Sequence, residues 1–293
     1  MTTELTAAAS GSILIGGERK IHRMGFGAMR LPVGESGGPP RSPEAGMAVL
    51  RRAVALGVNH IDTAGFYSYR GVSSHELIRE ALSPYPEELL IATKVGPMLD
   101  ETGLPGHEAE PGQLRGLVEE DLRRLGVDRL DLVYLRVGGI APPSDQPIGK
   151  RFEVLAGLRE EGLIAHLGVS NVTEAQFDEA RSIAPVAVVQ NHFHVHHRAD
   201  AQLLAKCAAL GVAYVPFFPL GGGERPLDQT KLAGVAERHQ ATTAQIALAW
   251  LLATSPVTCL IPGTGALAHL EENIAAAGIT LTEQDLAELA ATR

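Results

Sequence analysis

The sequence predicts an α/β fold, a (β/α)8 TIM barrel with an N-terminal β-hairpin and an extra helix at its C-terminal end. Two observations carry the expectation. Eight short β-rich runs alternate with helical patterns, and the eight units fit within about 250 residues, the usual length of such a barrel. A doubly wound sheet is the competing architecture. It is set aside because no Gly-x-Gly-x-x-Gly opens a helix after the first strand and nothing marks a topological switch point.

The elements follow in order. "SILIGGERKIHRM" (12–24) reads as a hairpin about Gly16-Gly17, placed to close the barrel floor. The eight β-rich runs are "HRMGFGAM", "NHIDTA", "LLIATKV", "LDLVYLR", "AHLGVSN", "AVVQNHF", "AYVPFFPL" and "VTCLIPG". Between them, Leu114, Leu117, Val118, Leu122 and Leu125 keep a helical stripe. So do Phe152, Leu155, Leu158 and Leu163, and again Leu267, Leu270 and Ile274. Gly57, Gly126, Gly211 and Gly278 each stand just past a periodic stretch, as helix stops do. Trp250, in "IALAWLLA", belongs to a helix that is apolar all round and therefore core. "LTEQDLAELAATR" reads as the extra helix, with Thr282 as N-cap and Asp285 three residues on. No linker is visible, so residues 1–293 are expected to form one domain. The longest loop, "GPMLDETGLPGHEAEPG" (96–112), is long enough to build a rim or a lid.

Composition narrows the function. Apolar residues make up 45% of the chain and charged residues 20%, enough for a sizeable core. A formal charge of −9 argues against non-specific binding to nucleic acid or an anionic membrane, but leaves room for a local basic pocket. The two cysteines, Cys207 and Cys259, lie in apolar contexts and suit a reducing compartment. "MTTELTAAASGS" lacks the pattern of a signal peptide, and no apolar run reaches the ~20 residues of a membrane helix. A cytoplasmic location is the expectation.

In such a barrel, chemistry collects at the C-terminal ends of the strands. The second run delivers Asp62 and then Tyr67, the third Lys94, the fourth Arg136 and the fifth Ser170 and Asn171. The sixth delivers Gln190, Asn191 and His192. The seventh delivers Phe217, Phe218 and then Gly221 to Gly223, and the eighth Pro262, Gly263, Thr264 and Gly265.

"GVNHIDTAGFY", "IATKVG", "GLIAHLGVSN", "VVQN" and "IPGTGALAHLEEN" follow one another over nearly the whole chain. Together they resemble the aldo-keto reductase superfamily. "LRV", "YVPFFPLGG" and "IPGT" are similar to a bacterial subgroup of it, the pyridoxal reductases or pyridoxine 4-dehydrogenases. The resemblance implies an oxidoreductase that reduces the carbonyl of a small molecule with a hydride from a nicotinamide cofactor, pyridoxal being the leading substrate. It implies Tyr67 as proton donor, with Lys94 and Asp62 tuning it. A free phenol, with a pKa near ~10, is a reluctant acid, and a neighbouring cation favours its anion. Arg136 departs from the wider superfamily, which carries a histidine there. An arginine keeps its proton at working pH, but it can donate to a carbonyl oxygen or hold a phenolic or anionic group.

For the cofactor, the resemblance places Phe217 on the nicotinamide ring and Ser170, Asn171 and Gln190 at its carboxamide. "PLGGG" (219–223), with Leu220 and Gly221, offers backbone N–H groups to a pyrophosphate, and Phe218 beside it is a further cofactor-binding candidate. Gly263, Thr264 and Gly265 lead into a helix N-terminus suited to another phosphate. Glu272 and Asn273 match adenine-side contacts. Relatives carry a lysine and an arginine in this segment to grip a 2′-phosphate; Gly263 and His269 stand there instead. NADPH is the expected cofactor and NADH the alternative.

Competing readings attach to several of these residues. Tyr67 alone could be a packing residue, and Tyr69 is a second phenol on the same loop. Arg136 could partner a barrel-mouth carboxylate such as Asp62. The alternating His192, His194 and His196 would share one face of a strand and suggest a metal, but no acid or thiol accompanies them at a family spacing, so no metal is expected. Other functions consistent with the motifs are reduction of a different carbonyl or imine and a non-catalytic, NADPH-binding regulatory role.

Overall fold

A strand buried on both faces is apolar on both, while the residues at its end are free to be polar. That contrast organises the structure, a computed structural model that describes residues 5–33, 40–101, 105–139, 143–222 and 227–291. The first four residues, Gly223 of the glycine turn, residues 102–104 of the long loop and the last two residues lie outside these.

The strands are β1 Ser12–Ile15, β2 Arg19–His22, β3 Phe26–Gly27, β4 His60–Asp62, β5 Ser68–Tyr69, β6 Val72–Ser73 and β7 Leu90–Val95. They continue as β8 Pro97–Leu99, β9 Pro105–Glu108, β10 Leu130–Arg136, β11 Ile164–Ser170, β12 Val188–Gln190 and β13 Ala213–Tyr214. The helices are α1 Pro43–Ala55, α2 Ser74–Leu82, α3 Leu114–Leu125, α4 Gly149–Glu160 and α5 Glu174–Ile183. They continue as α6 Ala201–Leu210, α7 Thr230–Arg238, α8 Thr243–Thr254, α9 Leu267–Ala275 and α10 Glu283–Ala291.

One parallel sheet runs β13-β12-β11-β10-β7-β4-β3. The predicted eighth strand is present as two isolated parallel bridges, Tyr214 to Thr258 on one side and Leu260 to Met24 on the other. The Cys259 N–H donates to Tyr214 O at 2.8 Å and the Gly25 N–H to Leu260 O at 2.7 Å, which closes the ring. Pro256 and Pro262 bracket this run, and a proline cannot donate to a ladder, so the eighth stave stays short.

The period of two sorts the side chains into layers. Leu90 and Ala92 on β7, Leu132 and Tyr134 on β10, Val188 on β12, Ala213, Val215 and Cys259 fill the barrel interior. Tyr134 takes the space that Gly168 leaves; a Cβ there would lie 2.6 Å from the tyrosine ring. The next inward position up each strand is polar: Lys94, Arg136, Ser170 and Gln190. Outward residues such as Ile91, Val133, Leu167 and Val189 pack under the helices. The predicted hairpin is β1–β2, and its Ile15 and Ile21 enter the interior cluster from below.

Several local expectations change. Gly126 and Gly211 end α3 and α6 with left-handed backbone (φ 69° and 68°), and Gly57 follows α1 at φ 81°. Gly278, in contrast, closes a short 3-10 turn without a positive φ. Within the 96–112 segment, β8 and β9 pair as an antiparallel hairpin. Glu108 accepts the Gly138 N–H and pairs with Arg151 at 2.5 Å, so this hairpin is strapped to the barrel rim. "HVHH" is not a strand: His194 and His197 exchange both backbone hydrogen bonds across a tight turn, which ends the face-sharing alternation. The C-terminal helix begins as expected, with reciprocal Thr282 and Asp285 bonds at 2.9 and 3.2 Å. Trp250 is buried in α8. Among the described residues no helix is long and apolar enough to cross a membrane.

Candidate active site

The three strand ends β4, β7 and β12 bring Asp62, Lys94 and Gln190 into one buried cluster. Lys94 Nζ donates to Asp62 Oδ1 at 2.5 Å and to Thr63 O at 2.9 Å. Gln190 Nε2 donates to Asp62 Oδ2 at 2.7 Å. Asp62 and Lys94 are each only 2% exposed, so the ion pair stands in low dielectric with both carboxylate oxygens satisfied. Tyr67 is half-buried beside this cluster, its ring centroid 4.8 Å from the lysine ammonium.

The loop that carries Tyr67 is anchored from outside the barrel. The Ser74 N–H at the start of α2 donates to Tyr67 O at 2.9 Å, and the Ser74 hydroxyl donates to Ala28 O at 3.0 Å. Gly65 abuts Asp121 of α3; a Cβ there would lie 2.5 Å from the carboxylate. Asp121 Oδ2 accepts from the Thr93 hydroxyl at 2.7 Å, and its other oxygen lies 3.4 Å from His75 Nδ1. Burial pushes Asp121 up to about 7 and His75 down to about 3. None of these three was singled out in the sequence. Their signal was the outward position of Thr93 next to Lys94.

Arg136 is buried, and desolvation pulls its guanidinium down to about 10, so it remains a cation at neutral pH. It donates to Ser170 Oγ at 3.1 Å and to Gly139 O, and its Cζ lies 4.6 Å from the Phe217 ring centroid. Among the described residues it forms no ion pair with Asp62, which pairs with Lys94. The competing reading of Arg136 as a structural partner of Asp62 therefore gives way.

Phe217 and His192 stack at 5.3 Å with an 8° angle between rings, and His197 stacks on His192 at 4.1 Å. Among the described residues no group of three or more His, Cys, Asp or Glu is arranged to hold a metal. Asn171 has left-handed backbone (φ 58°) and donates its side-chain amide to Val137 O at 2.9 Å. Asn191 bonds both the N–H and the C=O of Val172, which ties β12 to the loop after β11. Gly221 and Gly222, with φ of 83° and 77°, turn the chain after Phe218 and Leu220. The Thr264 hydroxyl accepts the Ala266 N–H at 3.1 Å, just before α9. His269 is exposed and Asn273 buried. Glu272 accepts from the hydroxyl of Thr242, the N-cap of α8, at 2.6 Å.

Two cavities meet over this cluster. One, of about 280 Å³, runs from Asp62 and Tyr67 past Phe217, Phe218, Leu220 and Gly222 to Pro262 and Gly263. The other, of about 220 Å³, is lined by Phe66, Lys94, Pro97, Arg136, Gly138 and Gly139. Met29, Tyr67, Gln190, Phe217 and Phe218 line both. The first strand's contribution to this wall, Gly27, Met29 and Arg30, escaped the sequence reading. The short "GFGAMR" run carried the signal.

A model of the Aldo/keto reductase family matches residues 23–293. The pyridoxine 4-dehydrogenase of Escherichia coli K12 is 46% identical over 277 residues, 93% of this chain and 95% of the relative. An uncharacterized oxidoreductase of Schizosaccharomyces pombe is 40% identical over 291 residues, 98% of this chain and 92% of the relative. Among solved structures, a thermostable aldo-keto reductase in complex with the inhibitor epalrestat superimposes with a TM-score of 0.81 at 30% identity, covering 96% of this chain and 99% of that one. With these motifs, this barrel and the match over almost its whole length, the chain belongs to the aldo/keto reductase family and is an oxidoreductase.

Proposed function

We propose that this protein reduces the aldehyde of pyridoxal to the alcohol of pyridoxine, with NADPH as the reductant. The observation that carries the reading is the meeting of two cavities at Tyr67, beside the buried Asp62–Lys94 pair. The cavity that runs to Gly222 and Gly263 would take the dinucleotide and the one lined by Arg136 the aldehyde, so that the two would meet at the wall that carries the phenol. The E. coli relative supports the choice of substrate.

The residues present fit the cofactor. Gly27 and Gly263 line the groove and let the first strand and the eighth run approach closely beneath it: a Cβ on Gly27 would lie 2.6 Å from Ile261 O. The chain turns at Gly221, and the half-buried Gly222 lines the same groove. The bound NADPH supplies the hydride. Phe217, Ser170 and Asn171 would hold the nicotinamide end, and the Gly263–Gly265 segment the adenosine end. Gln190 acts first through Asp62, to which its amide is committed.

Tyr67 gives its proton to the carbonyl oxygen. Lys94 fixes a positive charge beside that phenol, and Asp62 with Gln190 fixes Lys94. Arg136 uses N–H groups on Ser170 and Gly139, and a guanidinium has five. Arg136 also lines the shorter cavity, where its remaining donors would stabilise negative charge on the substrate, either the developing alkoxide or the ring hydroxyl of pyridoxal.

The test is to follow NADPH absorbance with pyridoxal as substrate. Turnover at a rate typical of enzymes, on the order of 1–10³ per second, supports the reading. Faster reduction of unrelated aldehydes, with pyridoxal inert, would overturn the substrate and keep the chemistry.

A further inference from the structure

We propose that Arg41 reads the 2′-phosphate of NADPH and so sets this protein's preference over NADH. The inference rests on the cofactor assignment above. The cations expected within the α9 segment are absent from it, and the structure brings one in from another part of the chain. Arg41 immediately precedes Ser42, the N-cap of α1. Its guanidinium lies against Gly265, so an added Cβ at Gly265 would overlap it. Helices α1 and α9 pack together and are tied by an Arg52–Glu271 pair at 2.7 Å. Both follow strands of the same parallel barrel, so both N-termini face the mouth.

A helix N-terminus carries partial positive charge and disfavours a cation. Arg41 sits beside two of them. Among the described residues no carboxylate lies within 4.0 Å of it, and its buried Nε has no hydrogen-bond partner. The first turn of α9 holds no acid, and its N-cap Ala266 offers no side-chain oxygen. An arginine left unpaired in this field is explained by an anion that arrives with the ligand.

The position identifies the anion. The long cavity begins at Tyr67, where the nicotinamide must lie for hydride transfer, and ends at Gly263. Gly265 therefore stands at the adenosine end. There NADPH differs from NADH by one phosphate. Arg30 provides an internal contrast. It lines the groove, donates to Gly222 O at 2.8 Å and would face the pyrophosphate that both cofactors share.

Calorimetric titration of the purified protein with NADPH and with NADH tests this. Arg41→Ala should weaken NADPH by about 10- to 100-fold, the scale of a lost charge-assisted bond, and leave NADH nearly unchanged. Arg30→Ala should weaken both. Gly265→Ala keeps the arginine but displaces it, and should weaken NADPH more than NADH. Equal loss of both cofactors, or of neither, in a folded Arg41→Ala protein would overturn the proposal. A wild type that binds NADH as tightly as NADPH would overturn it while leaving the reductase reading intact. A wild type that binds neither would overturn both.

Discussion

Thr93 donates its hydroxyl to Asp121 on the outer face of β7, one residue from the lysine that faces Asp62 and Tyr67 on the inner face. The helix layer thus holds the strand at the position where the strand holds the ammonium. Asp121 also backs Gly65 in the loop leading to Tyr67. Asp121→Ala should therefore lower stability by about 2 kcal/mol, the cost of leaving buried polar groups unsatisfied. It should lower kcat more than it weakens cofactor binding. Asp121→Asn, which keeps the shape and an acceptor oxygen, should restore most of both. Chemical denaturation and steady-state kinetics on the pair of variants give the comparison.

Tyr67→Phe removes one oxygen from a half-buried ring. Turnover should fall by about 10²- to 10⁴-fold, the contribution of a positioned proton donor. NADPH affinity should stay at the wild-type value. Turnover that survives in this variant would move the proton donor elsewhere, with Tyr69 the next phenol on the loop.

Lys94→Met leaves Asp62 buried with Gln190 as its remaining partner. Breaking a buried pair in this way costs about 3–5 kcal/mol. The double variant Asp62→Asn with Lys94→Met removes the stranded charge and should recover part of that loss. Urea unfolding of the single and double variants measures the difference. Equal destabilisation in both would mean that the pair contributes packing and little electrostatics.

Arg136→Met should raise KM for pyridoxal more than for an aromatic aldehyde that lacks the ring hydroxyl, if the guanidinium holds that hydroxyl. A loss confined to kcat, equal for both substrates, assigns the arginine to the alkoxide. Either result separates the two uses of its free donors.

His60 lies at the base of β4, fully buried, with neither ring nitrogen hydrogen-bonded. Burial lowers its pKa from 6.5 to about 4, Asp62 and Lys94 pulling in opposite directions. Below pH 6.5 the unfolded chain takes up a proton that the folded protein refuses. Stability is therefore complete above about pH 6.5 and falls by about 3 kcal/mol toward pH 4. His75 acts in the same direction, and Asp121 in the opposite one as pH rises toward 7. His60→Phe should flatten the acid limb, which denaturation midpoints between pH 7 and pH 4 would record. A variant curve parallel to the wild type assigns the acid sensitivity to other groups.

The barrel was legible because its two periodicities are local. Apolar runs such as "LLIATKV" and "LDLVYLR" became six- and seven-residue strands, and their last inward residues, Lys94 and Arg136, became the mouth. What depended on distant contacts was harder to read. Arg41 reaches Gly265 across 224 positions of chain, and nothing in either neighbourhood announces the other. The β8–β9 hairpin was hidden by glycines and prolines that ordinarily mark loops, and Glu108 holds it down through Gly138 and Arg151, which lie outside the segment. The histidine run misled for a related reason. Alternation implies one face only while the chain stays extended, and the turn between His194 and His197 ends that condition.

The floor hairpin has a consequence for traffic. With Ile15 and Ile21 wedged into the bottom of the barrel, the chamber is a blind cup. Reductant and aldehyde must enter, and their products leave, over the same rim. The two cavities share Tyr67, Gln190 and Phe217 as a common wall, so each occupant narrows the doorway of the other. An aldehyde added in excess should accordingly slow the exchange of the spent cofactor.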